Sequence, residues 1–164
     1  SDLLESFGGH MYAAGLTLKK ENFPVFRERF EKVVSETITP EQLVPQLEID
    51  AELNFNLITP KFFRILKQFE PFGPGNMNPV FFAENVADNG QGRKVGADSD
   101  HLKLNLIQED NPFNDMPAIA FNQGNKFNAI SGGNTFDIAY SIAENHFRGQ
   151  TTIQLNIKDI KVDG

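Results

Sequence analysis

The sequence predicts an α+β protein: a mixed helical and extended N-terminal part followed by a mainly antiparallel β-barrel. Two observations carry this. Apolar residues at helical spacing stop before Pro71, the longest series being Phe23, Phe26, Phe30, Val33, Val34 and Ile38. After Pro79 the apolar period is two, in short runs separated by turn residues.

Taken in order, residues 2–7 read as the end of a helix stopped by Gly8. Residues 11–15 read as a helical turn, and 14–18 as a short strand. The spacing predicts a helix over 23–37, with Asn22 as its cap and Pro24 in its first turn. Its charges, Arg27, Arg29 and Lys32 among Glu28 and Glu31, read as a solvated face. Residues 39–45 form a linker. From Leu47 to Leu57 strict alternation predicts a long half-buried strand, or two strands broken by a turn. Thr59-Pro60 opens a helix whose buried face is Phe62, Phe63, Leu66 and Phe69. Residues 71–75, Pro-Phe-Gly-Pro-Gly, forbid regular structure.

Six strands then follow, near residues 80–86, 92–95, 101–107, 118–121, 136–142 and 153–157. Leu102, Leu104 and Leu106 face inward, and His101, Lys103 and Asn105 outward. Asp88-Asn89-Gly90 is a turn. Short alternating strands at this spacing suit a five- to six-stranded barrel, with the oligonucleotide-binding (OB) fold as the leading candidate.

Composition bounds the function. The 164 residues include 22 acidic and 15 basic side chains, a net charge of −7. Residues 1–69 carry eight basic and ten acidic (−2), and residues 70–164 seven and twelve (−5). A surface attractive to nucleic acid everywhere is excluded, so any such contact is a local patch. With no cysteine, a disulfide framework or thiolate metal site is excluded. No apolar run approaches the ~20 residues of a membrane span, and no signal-peptide pattern is present, so a cytoplasmic location is expected. Sixteen Phe against two Tyr and no Trp places most Phe in the core.

The stretch from Phe7 to Gly15, FGGHMYAAG, is the one that most suggests chemistry. Gly8 and Gly9 free the backbone for close approach, and His10 can donate to an anion. A helical turn starting at His10 would point free N–H groups at that anion. A plain glycine-rich turn fits the same residues. His10, His101 and His146 lie far apart, and none has a second ligand at metal-binding spacing. Asp98-Ser99-Asp100 fits a polar hairpin tip better than a cation site. Phe147 and Arg148, in a turn between strands, either stack on and pair with a single strand or leave Phe147 in the core.

These stretches carry a family resemblance. Gly8-Gly9-His10-x-x-Ala13-Ala14-Gly15 is similar to the GGHxxAAG motif of the DHH-associated domain of DHH-family phosphoesterases. Residues 71–76, PFGPGN, and 101–104, HLKL, resemble segments of the RecJ family of single-stranded-DNA-specific 5′→3′ exonucleases. So do Asn145-x-Phe147-x-Gly149 and Gln154-Leu155-x-Ile157-x-Asp159-Ile160. Met77 departs from the proline common after GPGN, which puts the rigidity of that loop in question.

The resemblance implies the C-terminal portion of a DHH-associated domain over residues 1–45 and an OB domain over 46–164. Within the latter, 46–70 supply a strand and a helix, 71–79 a joint and 80–162 the barrel. It implies a parent enzyme of DNA repair and recombination, in which manganese or magnesium ions activate water against a phosphodiester. The Asp-His-His metal motifs of that family are absent, so the chain is expected to be part of a longer protein and inactive alone. Gly8, Gly9 and His10 would bind phosphate. By residue type, Asn76, Arg93, Lys94, His101, Lys103, Phe147 and Arg148 are the candidate contacts to single-stranded DNA. Further partners would be repair proteins such as a helicase or a single-strand-binding protein, and no membrane. Two alternatives are a non-catalytic OB module binding DNA or a repair protein, and a piece of another DHH phosphoesterase.

Overall fold

A computed structural model describes residues 2–10, 13–108 and 111–162. The chain divides into two compact units, 1–47 and 48–164.

In the first unit, β1 (Leu4–His10) and β2 (Ala13–Leu18) form an antiparallel hairpin. The helix expected before Gly8 is therefore a strand, and so are residues 13–15. The glycines explain it. Each costs a helix interior about 1 kcal/mol, whereas here Gly8 faces Gly15 and Gly9 faces Ala14 across the ladder. A Cβ on Gly9 would lie 2.8 Å from the Ala13 carbonyl oxygen and the Ala14 Cα, so the strands approach as they do only with glycine there. His10 ends a strand rather than starting a helical turn. Met11 and Tyr12, part of that expected turn, lie outside the described residues.

Helix α1 (Phe23–Thr37) has Pro24 in its first turn. Asn22 holds its N-cap position as expected but makes no side-chain capping bond, because its backbone is already helical and its side-chain amide donates to the Leu3 carbonyl at 3.3 Å. No α1 residue is buried, and Phe23, Phe30 and Val33 are each more than half exposed. The Phe26 and Phe30 rings stack on one another at 5.6 Å. Arg29 pairs with Asp2 at 3.1 Å and holds its carboxyl below the usual range.

In the second unit, the long strand expected over 47–57 shrinks to β3 (Ala51–Glu52), parallel to the start of β4 (Phe81–Asp88). The alternation misleads because the chain leaves the ladder at once. Gln108 Oε1 accepts the Phe55 N–H, its Nε2 donates to Asn54 Oδ1, and residues 55–57 coil into a 3₁₀ turn. That turn sends Phe55 and Ile58 inward and leaves Leu57 outside.

Thr59 Oγ1 accepts the Phe62 N–H at 3.1 Å and caps α2 (Pro60–Leu66). Leu66 is buried and Phe62 and Phe63 pack on the core. Phe69 is 62% exposed, because the 3₁₀ turn Lys67–Phe69 carries it off that face. The loop after it is fixed without a proline at position 77. Gly73 and Asn76 exchange backbone hydrogen bonds of 2.8 and 2.9 Å, and Asn76 Nδ2 donates to the Phe69 and Pro71 carbonyls.

The remaining strands are β5 (Arg93–Val95), β6 (His101–Gln108), β7 (Asn111–Ala120), β8 (Phe136–Phe147) and β9 (Gln150–Lys161). They form a seven-stranded sheet ordered β3-β4-β8-β9-β7-β6-β5, with β4 also paired to β6. The double pairing turns on Asn85, at φ 53, where the β4–β8 register shifts. Before it β4 runs beside β8, and after it Val86 faces both Phe136 of β8 and Gln108 of β6, with Ala87 and Asp88 continuing along β6 to Leu106. Inward residues line up across the ladders: Leu102 opposite Ala120, Ala120 opposite Ile157, Ile157 opposite Tyr140, Tyr140 opposite Phe81. All of them are buried. The Tyr140 hydroxyl donates to the Leu53 carbonyl at 2.6 Å, and burial pushes its pKa up.

A helix that periodicity does not predict, α3 (Phe127–Ile130), links β7 to β8 and buries Ile130. Its four residues are too few to show a period. β7 is longer than expected and ends before Phe121, which is exposed. No helix among the described residues is long and apolar enough to cross a membrane.

Candidate functional site

The β5–β6 ladder assembles four of the sequence-predicted residues. Arg93 lies opposite Lys103, Lys94 opposite Leu102 and Val95 opposite His101. Arg93, Lys103 and His101 therefore share the outer face, since Leu102 and Leu104 are buried on the other. Lys94 stands on the inward side of the ladder yet is exposed, because β5 is the end strand of the order.

The turn that presents β5 is built around Asp88. Its Oδ2 accepts the N–H groups of Gly90 and Gly92 at 2.9 and 2.8 Å, and its Oδ1 accepts that of Asn105. A Cβ on Gly92 would lie 2.8 Å from this carboxylate, so glycine lets the turn close. Asn105 Nδ2 donates to Gln91 Oε1 at 3.1 Å. Asp88, Gly92 and Asn105 thus position the cations. An Asp-Asn-Gly turn is legible in the sequence, but not this use of its first residue.

His101 Nδ1 accepts the Asn122 N–H at 3.1 Å. The ring is then the neutral tautomer with its proton on Nε2, free to donate. Asp100 Oδ1 lies 3.3 Å from the same Nδ1, and two acceptors facing each other make no hydrogen bond. The Phe121 and His101 rings meet in a T-shape, their centroids 5.2 Å apart.

Phe147 and Arg148 occupy the tip of the β8–β9 hairpin. Arg148 and Gly149 take φ of 49° and 78°, the two-residue turn that fits the twist of a hairpin. Phe147 is 64% exposed, which overturns the alternative of a core residue. The Arg148 guanidinium sits 5.2 Å from its ring centre, a cation over an aromatic face. Behind the tip, His146 Nδ1 meets Thr151 Oγ1 at 2.9 Å.

Asn76 and the glycine-histidine motif stand elsewhere. Both amide hydrogens of Asn76 are committed to main-chain carbonyls, so its visible role is to lock the 71–76 loop. Gly8, Gly9 and His10 lie on β1 in the first unit. Beside α2 a groove of about 670 Å³ is lined by Phe63, Arg64, Lys67, Glu144 and Thr152. Lys67 is tied to Glu144 at 2.9 Å, which raises its pKa. Among the described residues no three His, Cys, Asp or Glu side chains gather to hold a metal ion.

The sequence pattern of the RecJ OB domain matches residues 49–159. A single-stranded-DNA-specific exonuclease RecJ of Bacillus subtilis is 32% identical over 98% of the chain, which covers 20% of that protein. The corresponding protein of Haemophilus influenzae is 29% identical over 98% of the chain and 27% of its own length. The chain thus spans about a quarter or less of the relatives it matches. A crystal structure of RecJ from Thermus thermophilus in complex with Mg²⁺ superposes over 99% of the chain and 24% of its own, with a TM-score of 0.69 and 24% identity. A Mn²⁺ complex of the same protein gives a TM-score of 0.68.

Proposed function

The chain belongs to the RecJ OB domain family, and from that premise we propose that it is the strand-guiding portion of a metal-dependent 5′→3′ exonuclease acting on single-stranded DNA. The observation that carries the reading is the outer face of β5–β6. There Arg93, Lys103 and His101 stand together on a protein of net charge −7. A local cationic strip on an acidic surface attracts a polyanion only at that strip.

Two features support an OB barrel. β4 pairs with both β8 and β6, so β4-β6-β7-β9-β8 reads as five strands joined in a ring. Only α3 and its 3₁₀ lead-in interrupt β7 and β8. In that fold the face of the second and third strands and the loops after the first and fourth bind oligonucleotides. Here those are β6 and β7, the turn carrying Arg93 and Lys94, and the tip carrying Phe147 and Arg148. Cations there suit phosphates, and an exposed aromatic suits an unstacked base.

The first unit is the end of a DHH-associated domain in this reading. Gly8, Gly9 and His10 supply a phosphate contact to a site whose metal ligands lie elsewhere in the parent. Hydrolysis, with manganese or magnesium, belongs to that parent, as do any protein partners in DNA repair.

The test is a binding titration with a labelled oligonucleotide at low salt. The chain is expected to favour single-stranded over duplex DNA and to weaken as salt rises. Arg93→Glu with Lys103→Glu should cost about tenfold or more and flatten the salt dependence by ~0.7 for each phosphate no longer neutralised. Equal binding of both DNA forms, or none at low salt, contradicts the reading.

A further inference from the structure

The apolar pattern ends a strand at Phe121, and the alternation that buries Ala118 and Ala120 leaves this residue on the outer face. It follows the last residue of β7, 53% exposed, and its ring meets His101 at 5.2 Å and an interplanar angle of 77°. The β6–β7 register explains the meeting. Leu102 lies opposite Ala120, so the next step outward on both strands sets His101 against Phe121. Phe121 is thus a large aromatic on the outer face of the sheet, beside His101.

The neighbouring strand adds a cation. Ala120 pairs with Ile157 of β9, and one residue on in both strands are Phe121 and Lys158. Lys158 falls between the pairs Tyr140–Ile157 and Ala139–Asp159, so it is the extra residue of a β-bulge. Lys158 is exposed on the outer side of β9, between the buried Ile157 and Ile160. The segment after Phe121 is also pinned: Gln123 Nε2 reaches the Ile157 and Lys158 carbonyls at 3.5 and 3.4 Å, and Asn122 N–H is held by His101. Phe121 therefore stands on a fixed backbone, with His101 on one side and Lys158 on the other. Arg93 and Lys103 lie one row away on the same face.

We propose that Phe121 is a base-stacking platform and Lys158 the phosphate contact beside it, which extends the single-strand path from β5 and β6 across β7 to β9. The assignment rests on the single-strand reading above. It names the ligand class of this spot as an unpaired nucleobase, because an exposed aromatic ring set nearly perpendicular to His101 and beside Lys158 suits a base next to a phosphate. Stacking of this kind tolerates every sequence, so the spot holds the strand without reading it.

The chain contains no tryptophan, so Phe121→Trp introduces a single reporter at the proposed contact. Titration of that variant with single-stranded oligonucleotide is expected to quench its emission, with the midpoint of the wild-type binding curve. Phe121→Ala should weaken binding about tenfold, within the range for losing one stacked base. Phe121→Leu should recover little of that loss, because it restores apolar bulk without a π face. Lys158→Gln should lower the salt slope by ~0.7. An unquenched tryptophan with undiminished binding by Phe121→Ala overturns the platform while leaving the strand reading intact, provided the Arg93 and Lys103 reversals still weaken binding. Full recovery in Phe121→Leu likewise overturns stacking. If the wild-type chain does not bind single strands at low salt, both the platform and the strand reading fall.

Discussion

Helix α1 and strand β6 are patterned with equal regularity and end with opposite burial. Phe23, Phe30 and Val33 of α1 are 54%, 56% and 57% exposed, while Leu102, Leu104 and Leu106 of β6 are at most 2% exposed. The period of a segment says which residues share a face. It does not say whether a neighbour covers that face. β6 has β7 on one edge, β5 and then β4 on the other, and the inward sides of β8 and β9 across the core. In its own unit α1 has only a two-stranded hairpin, with Phe7 itself 72% exposed. A regular apolar series is thus evidence of a shared face in both places and of a core in one.

The largest expected effect sharpens this contrast. Leu104→Ala removes a side chain 2% exposed and should cost about 2–5 kcal/mol of unfolding free energy. Phe30→Ala removes a larger side chain that is 56% exposed and should stay within about 0.5 kcal/mol. Chemical denaturation of both variants reads the two values, and a cost for Phe30→Ala matching that of Leu104→Ala would erase the distinction.

A smaller effect separates two ion pairs. Lys126 Nζ lies 2.6 Å from Asp159 Oδ1 and also donates to the Ile160 carbonyl, which ties α3 to β9. The hydrogen bond from Lys126 holds the Asp159 carboxyl below its ordinary 3.8. A depressed folded pKa means the unfolded chain binds more protons at low pH. The stabilisation is therefore complete above 3.8 and is lost as pH falls through the lowered value. Because Asp159 is 64% exposed, screening keeps this contribution below about 1 kcal/mol. Lys126→Met should flatten the acid limb of the stability curve, and Arg29→Met, which removes the partner of the more exposed Asp2 carboxylate, should flatten it less. The opposite order would assign the anchoring pair to the wrong unit.

Much of the second unit is legible because its strands alternate and each is covered on one side. The inward set Leu102, Leu104, Leu106, Ile138, Tyr140, Ile142, Leu155 and Ile157 is buried as the pattern requires. Elsewhere pattern and structure part for local reasons. Gly8 and Gly9 can stop a helix or let two strands close, and only the cross-strand approach to Ala14 decides. Alternation over 47–57 persists while the chain abandons the ladder, because Gln108, far along the sequence, takes the Phe55 N–H. α3 has no period to read.

The candidate site divides in the same way. Arg93, Lys94, His101 and Lys103 can be chosen by type, and the β5–β6 register then brings them together. Asn76 cannot be judged by type, since the carbonyls that occupy its amide are set by the loop. Phe121 is hidden by its place at the end of an apolar run. The outward place of Lys158 follows from the alternation of Ile153, Leu155 and Ile157, but its nearness to Phe121 does not, since that depends on the β7–β9 register.

The most direct test of the strand-guiding account is a backbone-amide NMR titration of the ¹⁵N-labelled chain with single-stranded oligonucleotide lacking a 5′-phosphate. The account predicts that the largest shifts map to residues 93–103, 121–122 and 147–149, with 4–18 and 23–37 unmoved. Shifts concentrated on α1, or confined to the groove of Arg64 and Lys67, would contradict it.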